Sequence, residues 1–256
     1  MSLFVDGNIS QVSDLTIYES SLTDVASTEG IDLSAKMTVA KLELSLEIQK
    51  FLLSNQPDSA YGMPTTFGIG IENVVVTDAL KQWHTLQAIA ATFRDAYNQQ
   101  LNDRYKGKWA EYAALAAHAA EVALAVGIGI IFRPLPKPER PALSETTGSL
   151  FAGTWYVAAS WTNQSGVESG ISETSAQGIG DGASVLVIVN KPPTDAIGWN
   201  VYIGLTNDDL YKQNDLPLQL SSSWVIPAGL QRTVVRPAEG QKADTYLRKR
   251  NLLRRG

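Results

Sequence analysis

The sequence predicts a multidomain α and β protein, with an N-terminal helical bundle, a C-terminal-half β-sandwich and an extended basic tail. Apolar residues recur at helical spacing before residue 133, and they alternate with polar residues between 143 and 238. A proline-rich stretch separates the two patterns. We therefore divide the 256-residue chain into a helical domain (1–132), a linker (133–142), a β-sandwich (143–238) and a tail (239–256).

Three stretches of the N-terminal half carry helix start and stop signals. The start signals are Ser13-Asp14, Asp32 and Thr77-Asp78. After each of them, apolar residues recur at every third or fourth position. The predicted helices run from about 14 to 27, from 32 to just before Pro57, and from 78 to Val126 with a break at Gly107. We expect three or four helices, with a strand-like stretch at 66–71 and 74–76.

The last predicted helix, over 105–126, is unusually rich in alanine. Nine alanines cover almost all of its sides, so a neighbouring backbone can approach closely. Two interpretations are open: a buried helix in a small bundle, or a helix packed between the subunits of a ring. A membrane span needs ~20 strongly apolar residues. Because His118 and Glu121 interrupt the most membrane-like segment, 113–132, we expect no contact with a membrane.

Short strands separated by turns are predicted in the C-terminal half. They are 154–162, 184–189, 198–204 and 223–226. About seven short strands in a domain of this size are typical of a two-sheet sandwich. Strand tryptophans are usually core residues, but Trp155, Trp161, Trp199 and Trp224 would serve as sugar platforms if exposed.

No residue pattern predicts a reaction centre. The chain has no cysteine, which excludes disulfides, thiolate zinc sites and a cysteine nucleophile. Its two histidines, His84 and His118, have no neighbours at metal-ligand spacing, and His84 beside Trp83 is expected to be a packed side chain. No nucleophile elbow or phosphate-binding loop is present. We predict no catalytic, cofactor or metal site, and no enzyme activity.

The tail differs in charge from the rest of the chain. Residues 239–256 carry six basic and two acidic side chains, whereas residues 1–238 carry fifteen and 24. Leucines would anchor such a segment, and arginines would donate paired hydrogen bonds to carboxylates. The predicted docking residues are Tyr246, Leu247, Arg248, Lys249, Arg250, Leu252, Leu253, Arg254 and Arg255. A solvated chain end and a nucleic-acid patch are the alternatives, although Tyr246 is the tail's one base-stacking aromatic.

Several motifs of the helical half together resemble a known family. They are Asn73-Val74-Val75-Val76-Thr77, Trp83-His84, Arg94-Asp95-Ala96-Tyr97-Asn98, Gln100-Leu101-Asn102-Asp103-Arg104-Tyr105, Gly107-Lys108-Trp109 and Glu111-Tyr112. This part resembles the head-to-tail adaptor, or neck, proteins of tailed double-stranded DNA phages. The β half, with Gly153-Thr154-Trp155-Tyr156-Val157 and Gly198-Trp199-Asn200-Val201-Tyr202-Ile203-Gly204, is similar to the fibronectin-type and immunoglobulin-like domains of phage structural proteins.

The resemblance implies a structural protein of the bacteriophage virion. Such adaptors form a ring, here expected to be twelve-fold, that joins the portal protein to the tail or neck proteins. DNA passes through the lumen without specific binding, which suits the acidic charge of residues 1–238. The C-terminal segment of an adaptor often reaches into the portal, so we expect deletion of 244–256 to abolish docking and leave the fold intact.

Two other functions remain open at this point. The β half would act by itself in a virion decoration protein or in a receptor- or carbohydrate-binding protein. A cell-wall hydrolase is disfavoured, because no pair of carboxylates predicts the acid and base that glycoside hydrolysis needs.

Overall fold

A computed structural model describes residues 1–55, 68–100, 103–230 and 235–249 of the chain. The chain divides into two compact units. The helical unit comprises Gly7–Phe132 and the C-terminal residues from Ala243, and the β unit comprises Met1–Asp6 and Arg133–Lys242. Helices thus occupy the N-terminal half and antiparallel sheets the C-terminal half, as the sequence predicts. The unit boundaries differ from the predicted ones at both ends of the chain, because Met1–Asp6 belong to the β unit and the residues from Ala243 belong to the helical unit.

The proline-rich residues 133–142 belong to the β unit rather than to a separate linker. Leu135 is buried in the core of that unit, and its backbone N–H donates to the side-chain oxygen of Gln241, 2.6 Å away. The N–H of Lys137 donates to one carboxylate oxygen of Asp6 and that of Leu3 to the other, both at 2.8 Å. Gln241 and Asp6 lie more than 100 residues from Leu135 and Lys137 in the chain, so the local composition does not reveal these contacts.

The described part of the helical unit contains five α-helices. They are α1 (Val12–Tyr18), α2 (Leu22–Glu29), α3 (Leu33–Asn55), α4 (Asp78–Gln100) and α5 (Lys106–Val126). The prediction of a single helix over 14–27 is wrong, because the helical conformation is interrupted between Tyr18, where α1 ends, and Leu22, where α2 begins. Glu19 has extended backbone geometry there, and its carboxylate accepts hydrogen bonds from Lys108 and Tyr112 of α5. A contact between residues so distant leaves no trace in the apolar periodicity.

The predicted start signals of α3 and α4 are confirmed. One carboxylate oxygen of Asp32 accepts the backbone N–H groups of Ser34 (2.8 Å) and Ala35 (3.3 Å). The hydroxyl of Thr77 accepts the N–H of Leu80 at 3.3 Å. Each cap satisfies N–H groups that have no partner within their own helix.

Helix α4 lies at the centre of the helical unit and packs against both α3 and α5. Its buried side chains include Leu80, Trp83, Leu86, Ile89 and Phe93. The ring of Phe93 stacks on that of Tyr112, with the centroids 5.8 Å apart. Of the nine alanines predicted on α5, Ala116, Ala119 and Ala123 are buried, and several others are exposed.

The expected strand-like stretches at 66–71 and 74–76 are mostly absent from the described residues. Residues 66 and 67 lie outside them, and Ile71–Asn73 form a short 3-10 helix. Val74 forms an isolated antiparallel bridge with Ile130.

Ten strands are present in the described residues. They are β1 (Ile128–Ile130), β2 (Ala142–Leu150), β3 (Gly153–Thr162), β4 (Ser175–Ile179), β5 (Ala183–Ile188), β6 (Gly198–Gly204), β7 (Tyr211–Lys212), β8 (Leu218–Gln219), β9 (Trp224–Val225) and β10 (Thr245–Leu247). One antiparallel sheet has the order β2-β5-β9, and a second has the order β4-β3-β6-β7, with β8 also paired to β6. The predicted strands match β3, β5, β6 and β9 to within one residue. The polar strands β2 and β4 were missed because they lack an alternating apolar pattern.

Side chains from both sheets of the β unit share one hydrophobic core. Trp155, Trp161 and Trp199 are almost fully buried in it, together with Val185 and Val187 of the other sheet. The interpretation of these three tryptophans as core residues is confirmed, and their use as exposed sugar platforms is excluded. Trp224 is partly buried against the same core.

Candidate functional site

The described part of the predicted docking tail is paired with the helical unit. β10 runs antiparallel to β1, with Thr245 opposite Ile130 and Leu247 opposite Ile128. The N–H of Asp244 donates to the carbonyl of Ile130 (2.8 Å), and the N–H of Phe132 donates back to the Asp244 carboxylate (2.9 Å). The chain therefore returns from the β unit and adds a strand beside the end of α5.

The residues after β10 satisfy carbonyl groups at the C-terminal end of α5. The guanidinium Nε of Arg248 donates to the carbonyl of Val126 (3.0 Å), and the N–H of Lys249 donates to that of Leu124 (3.3 Å). The last carbonyls of a helix have no partner within it, and positive charge there is favourable. Gly127 makes the turn possible: its φ is 115°, and an added Cβ would lie 3.1 Å from the Leu247 oxygen.

A third segment closes the other edge of β1. The N–H of Val75 donates to the carbonyl of Gly129 (2.9 Å), and the N–H of Ile131 donates to that of Asn73 (2.8 Å). We call residues 73–75, 128–131 and 244–249 together the C-terminal patch. Because Ile128 and Ile130 are buried within it, the patch is part of the helical unit's fold.

The predicted docking residues fall into two groups. Tyr246, Leu247, Arg248 and Lys249 belong to the C-terminal patch; Leu247 is half-buried, and the side chains of the other three are exposed. Arg250, Leu252, Leu253, Arg254 and Arg255 lie outside the described residues. Deletion of 244–256 is therefore not expected to leave the fold intact, because it removes a strand and the cap of α5.

Sequence reasoning missed the partner strand of the tail. Ile128-Gly129-Ile130 alternates, follows a glycine and ends a helical pattern, and these are signals of a strand. The sequence alone still offered no reason to pair it with residues more than 110 positions away. That pairing depends on the chain crossing twice between the two units.

The β unit contains an open groove of about 790 Å³, within the range of about 300–1,000 Å³ typical of ligand sites. Exposed Phe151 and half-buried Tyr211 line it, beside Trp155 and Asp209. The Phe151 and Trp155 ring centroids are 5.0 Å apart. The indole N–H of Trp155 is buried and has no hydrogen-bond partner among the described residues. A buried indole N–H usually has an acceptor, so Trp155 leaves one donor of the β unit's core unsatisfied.

A polar cluster surrounds Glu168 on the opposite face of the β3–β6 sheet from the tryptophan core. The Glu168 carboxylate accepts hydrogen bonds from Tyr202 (2.5 Å), Ser160 (3.2 Å) and the side-chain amide of Asn200. It also forms an ion pair with Lys212 at 3.2 Å. Burial and the hydrogen bond to Glu168 raise the pKa of Tyr202, so this phenol remains a donor at neutral pH.

His84 is a packed residue, as the sequence predicts. Its Nε2 donates to the carbonyl of Met37 (3.0 Å), and its Nδ1 accepts from the hydroxyl of Ser10 (2.7 Å). Burial lowers the pKa of His84, so the neutral ring is favoured. Both ring nitrogens are engaged within the helical unit.

The described residues hold no group of three or more His, Asp or Glu side chains placed to bind a metal ion. In the same part of the chain, every helix is too short or too polar to span a bilayer. No protein-family model matches the chain, and no curated protein matches its sequence. The likeness to phage adaptors therefore stays a prediction from the sequence motifs.

Proposed function

We propose that the protein is a head-to-tail adaptor of a tailed double-stranded DNA phage. In this function, copies of the chain form a ring, twelve-fold by the family resemblance, between the portal and the tail. The ring forms part of the DNA conduit in the neck of the virion. Its C-terminal residues dock into the portal protein.

The C-terminal patch is the observation that carries this proposal. Residues 244–249 are held on the helical unit by strand pairing and by the Arg248–Val126 hydrogen bond. The leucine- and arginine-rich residues 250–256 therefore start from a defined point at the end of α5. In a ring, each copy would present one such peptide from an equivalent position, and several weak contacts would act together by avidity.

The charge distribution also supports a conduit. A protein that binds DNA tightly neutralises many phosphates with lysine and arginine. Residues 1–238 instead carry 24 acidic and fifteen basic side chains. A wall with this excess of negative charge does not retain the DNA that moves past it.

We also propose that the β unit is a sandwich of the immunoglobulin or fibronectin type. Two antiparallel sheets that share one tryptophan-rich core support this assignment.

The adaptor proposal is tested by mixing the purified protein with a portal protein from a tailed phage that encodes a close homologue of this chain. We expect native mass spectrometry and negative-stain images to show a closed ring stacked coaxially on the portal. A protein that stays monomeric at high concentration with the portal present would contradict the proposal.

The groove of the β unit favours a second candidate function, binding of a carbohydrate receptor. Phe151 and Tyr211 offer aromatic faces on which a sugar ring would stack. This candidate uses the β unit alone and does not need a ring.

A panel of disaccharides separates the two candidates. If the protein is an adaptor only, no disaccharide of the panel should bind it at millimolar concentration. If a disaccharide binds and the Phe151→Ala substitution weakens that binding at least tenfold, the receptor candidate is favoured. Phe132→Ala is the matched control, because Phe132 is as exposed as Phe151 and lies in the helical unit.

A further inference from the structure

The polar cluster around Glu168 brings an amine, a primary amide and a carboxylate into contact. One carboxylate oxygen, Oε1, accepts hydrogen bonds both from the Lys212 ammonium, at 3.2 Å, and from the side-chain nitrogen of Asn200. The other oxygen accepts from the hydroxyl of Tyr202 at 2.5 Å. An amine held beside a carboxamide can displace its nitrogen when a neighbouring acid moves the protons. The cluster therefore contains every group that amide formation between two side chains requires.

The register of β6 and β7 places the amine and the amide on one face of the sheet. Asn200 and Tyr202 are two positions apart on β6, so their side chains point to the same side. Lys212 of β7 is paired with Tyr202, which makes it a diagonal neighbour of Asn200. Long side chains reach across such a diagonal. Both nitrogens contact the same oxygen of Glu168, so the two side chains converge on one point.

A second asparagine engages the oxygen of the amide. The side-chain nitrogen of Asn214 donates to Oδ1 of Asn200 at 2.8 Å. Asn214 is itself fixed, because its own oxygen accepts the N–H of Val201 (2.9 Å) and its nitrogen also donates to the carbonyl of Leu216 (2.8 Å). A fixed donor in this position stabilises the negative charge that develops on an amide oxygen during nucleophilic attack.

The cluster is largely closed to water. Asn200 is fully buried, and the side chains of Lys212 and Glu168 are 19% and 16% exposed. Charges are costly in such a place, and transfer of one proton from the ammonium to the carboxylate removes both of them. This transfer produces a free amine, which is a nucleophile, and a carboxylic acid, which is a proton donor.

We propose that Lys212 and Asn200 form an intramolecular isopeptide bond, with Glu168 as the catalytic residue. The Nζ of Lys212 attacks Cγ of Asn200, and the bond from Cγ to Nδ2 breaks. The acid form of Glu168 gives its proton to the departing nitrogen and takes one from the attacking nitrogen. The products are a secondary amide and ammonia, which carries away the proton first taken from the ammonium. The step changes no oxidation state and needs no co-reactant.

The bond would join β6 to β7 covalently in a chain that has no cysteine. Like a disulfide, such a link restricts the unfolded chain and so favours the folded one. Because the reacting groups meet only in the folded β unit, the ion pair holds the cluster together until the link forms. The inference concerns the β unit alone and does not depend on the adaptor function.

Mass spectrometry of the intact, denatured chain tests the proposal directly. We expect the purified protein to be lighter than its sequence requires by the mass of one ammonia. Chymotrypsin cleaves after Tyr202 and Tyr211, so the peptide that contains Asn200 should stay joined to the one that contains Lys212. A parent protein that retains the full mass of its sequence would overturn the proposal, whatever the variants do.

Substitutions assign the groups. Lys212→Met and Glu168→Ala should each retain the full mass, in preparations whose circular dichroism spectrum matches that of the parent. Lys191→Met is the matched control and should still lose ammonia, because Lys191 also pairs with a glutamate of the β unit, Glu139 at 2.6 Å, but at an exposed site. Loss of ammonia from Lys212→Met would overturn the bond, and loss from Glu168→Ala would overturn the catalytic function of Glu168.

Discussion

Removal of residues 250–256 is expected to abolish capture by the portal protein and to leave the melting temperature unchanged. These residues include five of the nine predicted docking residues, and they follow Lys249, the last residue of the C-terminal patch. Their loss therefore removes the proposed docking peptide and leaves the residues that pair β1 with β10 in the chain. Capture is measured by biolayer interferometry on immobilised portal protein, and stability by thermal unfolding.

A longer deletion, from residue 244, is the informative control. It removes the β10 pairing, the Asp244 hydrogen bonds and the Arg248 contact with α5. At about 0.5–1.5 kcal/mol for each net hydrogen bond, we expect a loss of roughly 2–4 kcal/mol in the free energy of unfolding. Capture that survives the shorter deletion would contradict the docking function of the tail. An unchanged stability after the longer deletion would contradict the structural role of the patch.

Glu168→Ala is expected to destabilise the β unit by about 3–5 kcal/mol, the usual cost of removing one partner of a buried ion pair. The carboxylate accepts hydrogen bonds from Ser160, Asn200, Tyr202 and Lys212, and both charged side chains of the pair are less than one-fifth exposed. Without Glu168, these donors lose their acceptor in a site with little access to water. Urea denaturation followed by tryptophan fluorescence measures the change, because Trp155, Trp161 and Trp199 are buried in the core of this unit.

Glu173→Ala is the matched control for Glu168→Ala. Glu173 also pairs with a cation, Arg140 at 3.0 Å, but both side chains are more than 60% exposed. Surface ion pairs contribute about 0–1 kcal/mol, so this variant should unfold almost like the parent protein. Equal effects of the two substitutions would show that the Glu168 cluster is not structurally important.

Local chemistry explains the parts of the fold that sequence patterns predict well. Asp32 and Thr77 accept N–H groups only two or three residues away, so their capping function is visible in the sequence. The strands β3 and β6 alternate because one of their faces lies in a tryptophan-rich core. In both cases the residues that cause the structure are neighbours in the chain.

Long-range contacts explain what sequence patterns missed. The break after Tyr18 depends on Glu19 meeting α5, and the Glu168 cluster brings together β3, β6 and β7. The groove beside Phe151 is lined by residues from four strands, β2, β3, β6 and β7, and from the segments between strands. The sequence identified the basic tail, but it did not indicate that the first half of this tail belongs to the fold.

Composition and periodicity were sufficient to establish the helical and β halves, the caps of α3 and α4, the burial of Trp155, Trp161 and Trp199, and the charge contrast of the C-terminus. These properties arise from hydrogen bonds between a side chain and the nearby backbone, or from the preference of a side chain for water or for an apolar core. Each such preference belongs to an individual residue and can be recognised in the sequence. The pairing of β10 with β1 and the polar cluster around Glu168 required the folded chain. They depend on which distant segments meet, and that outcome is set by the packing of the whole unit rather than by any short stretch of residues.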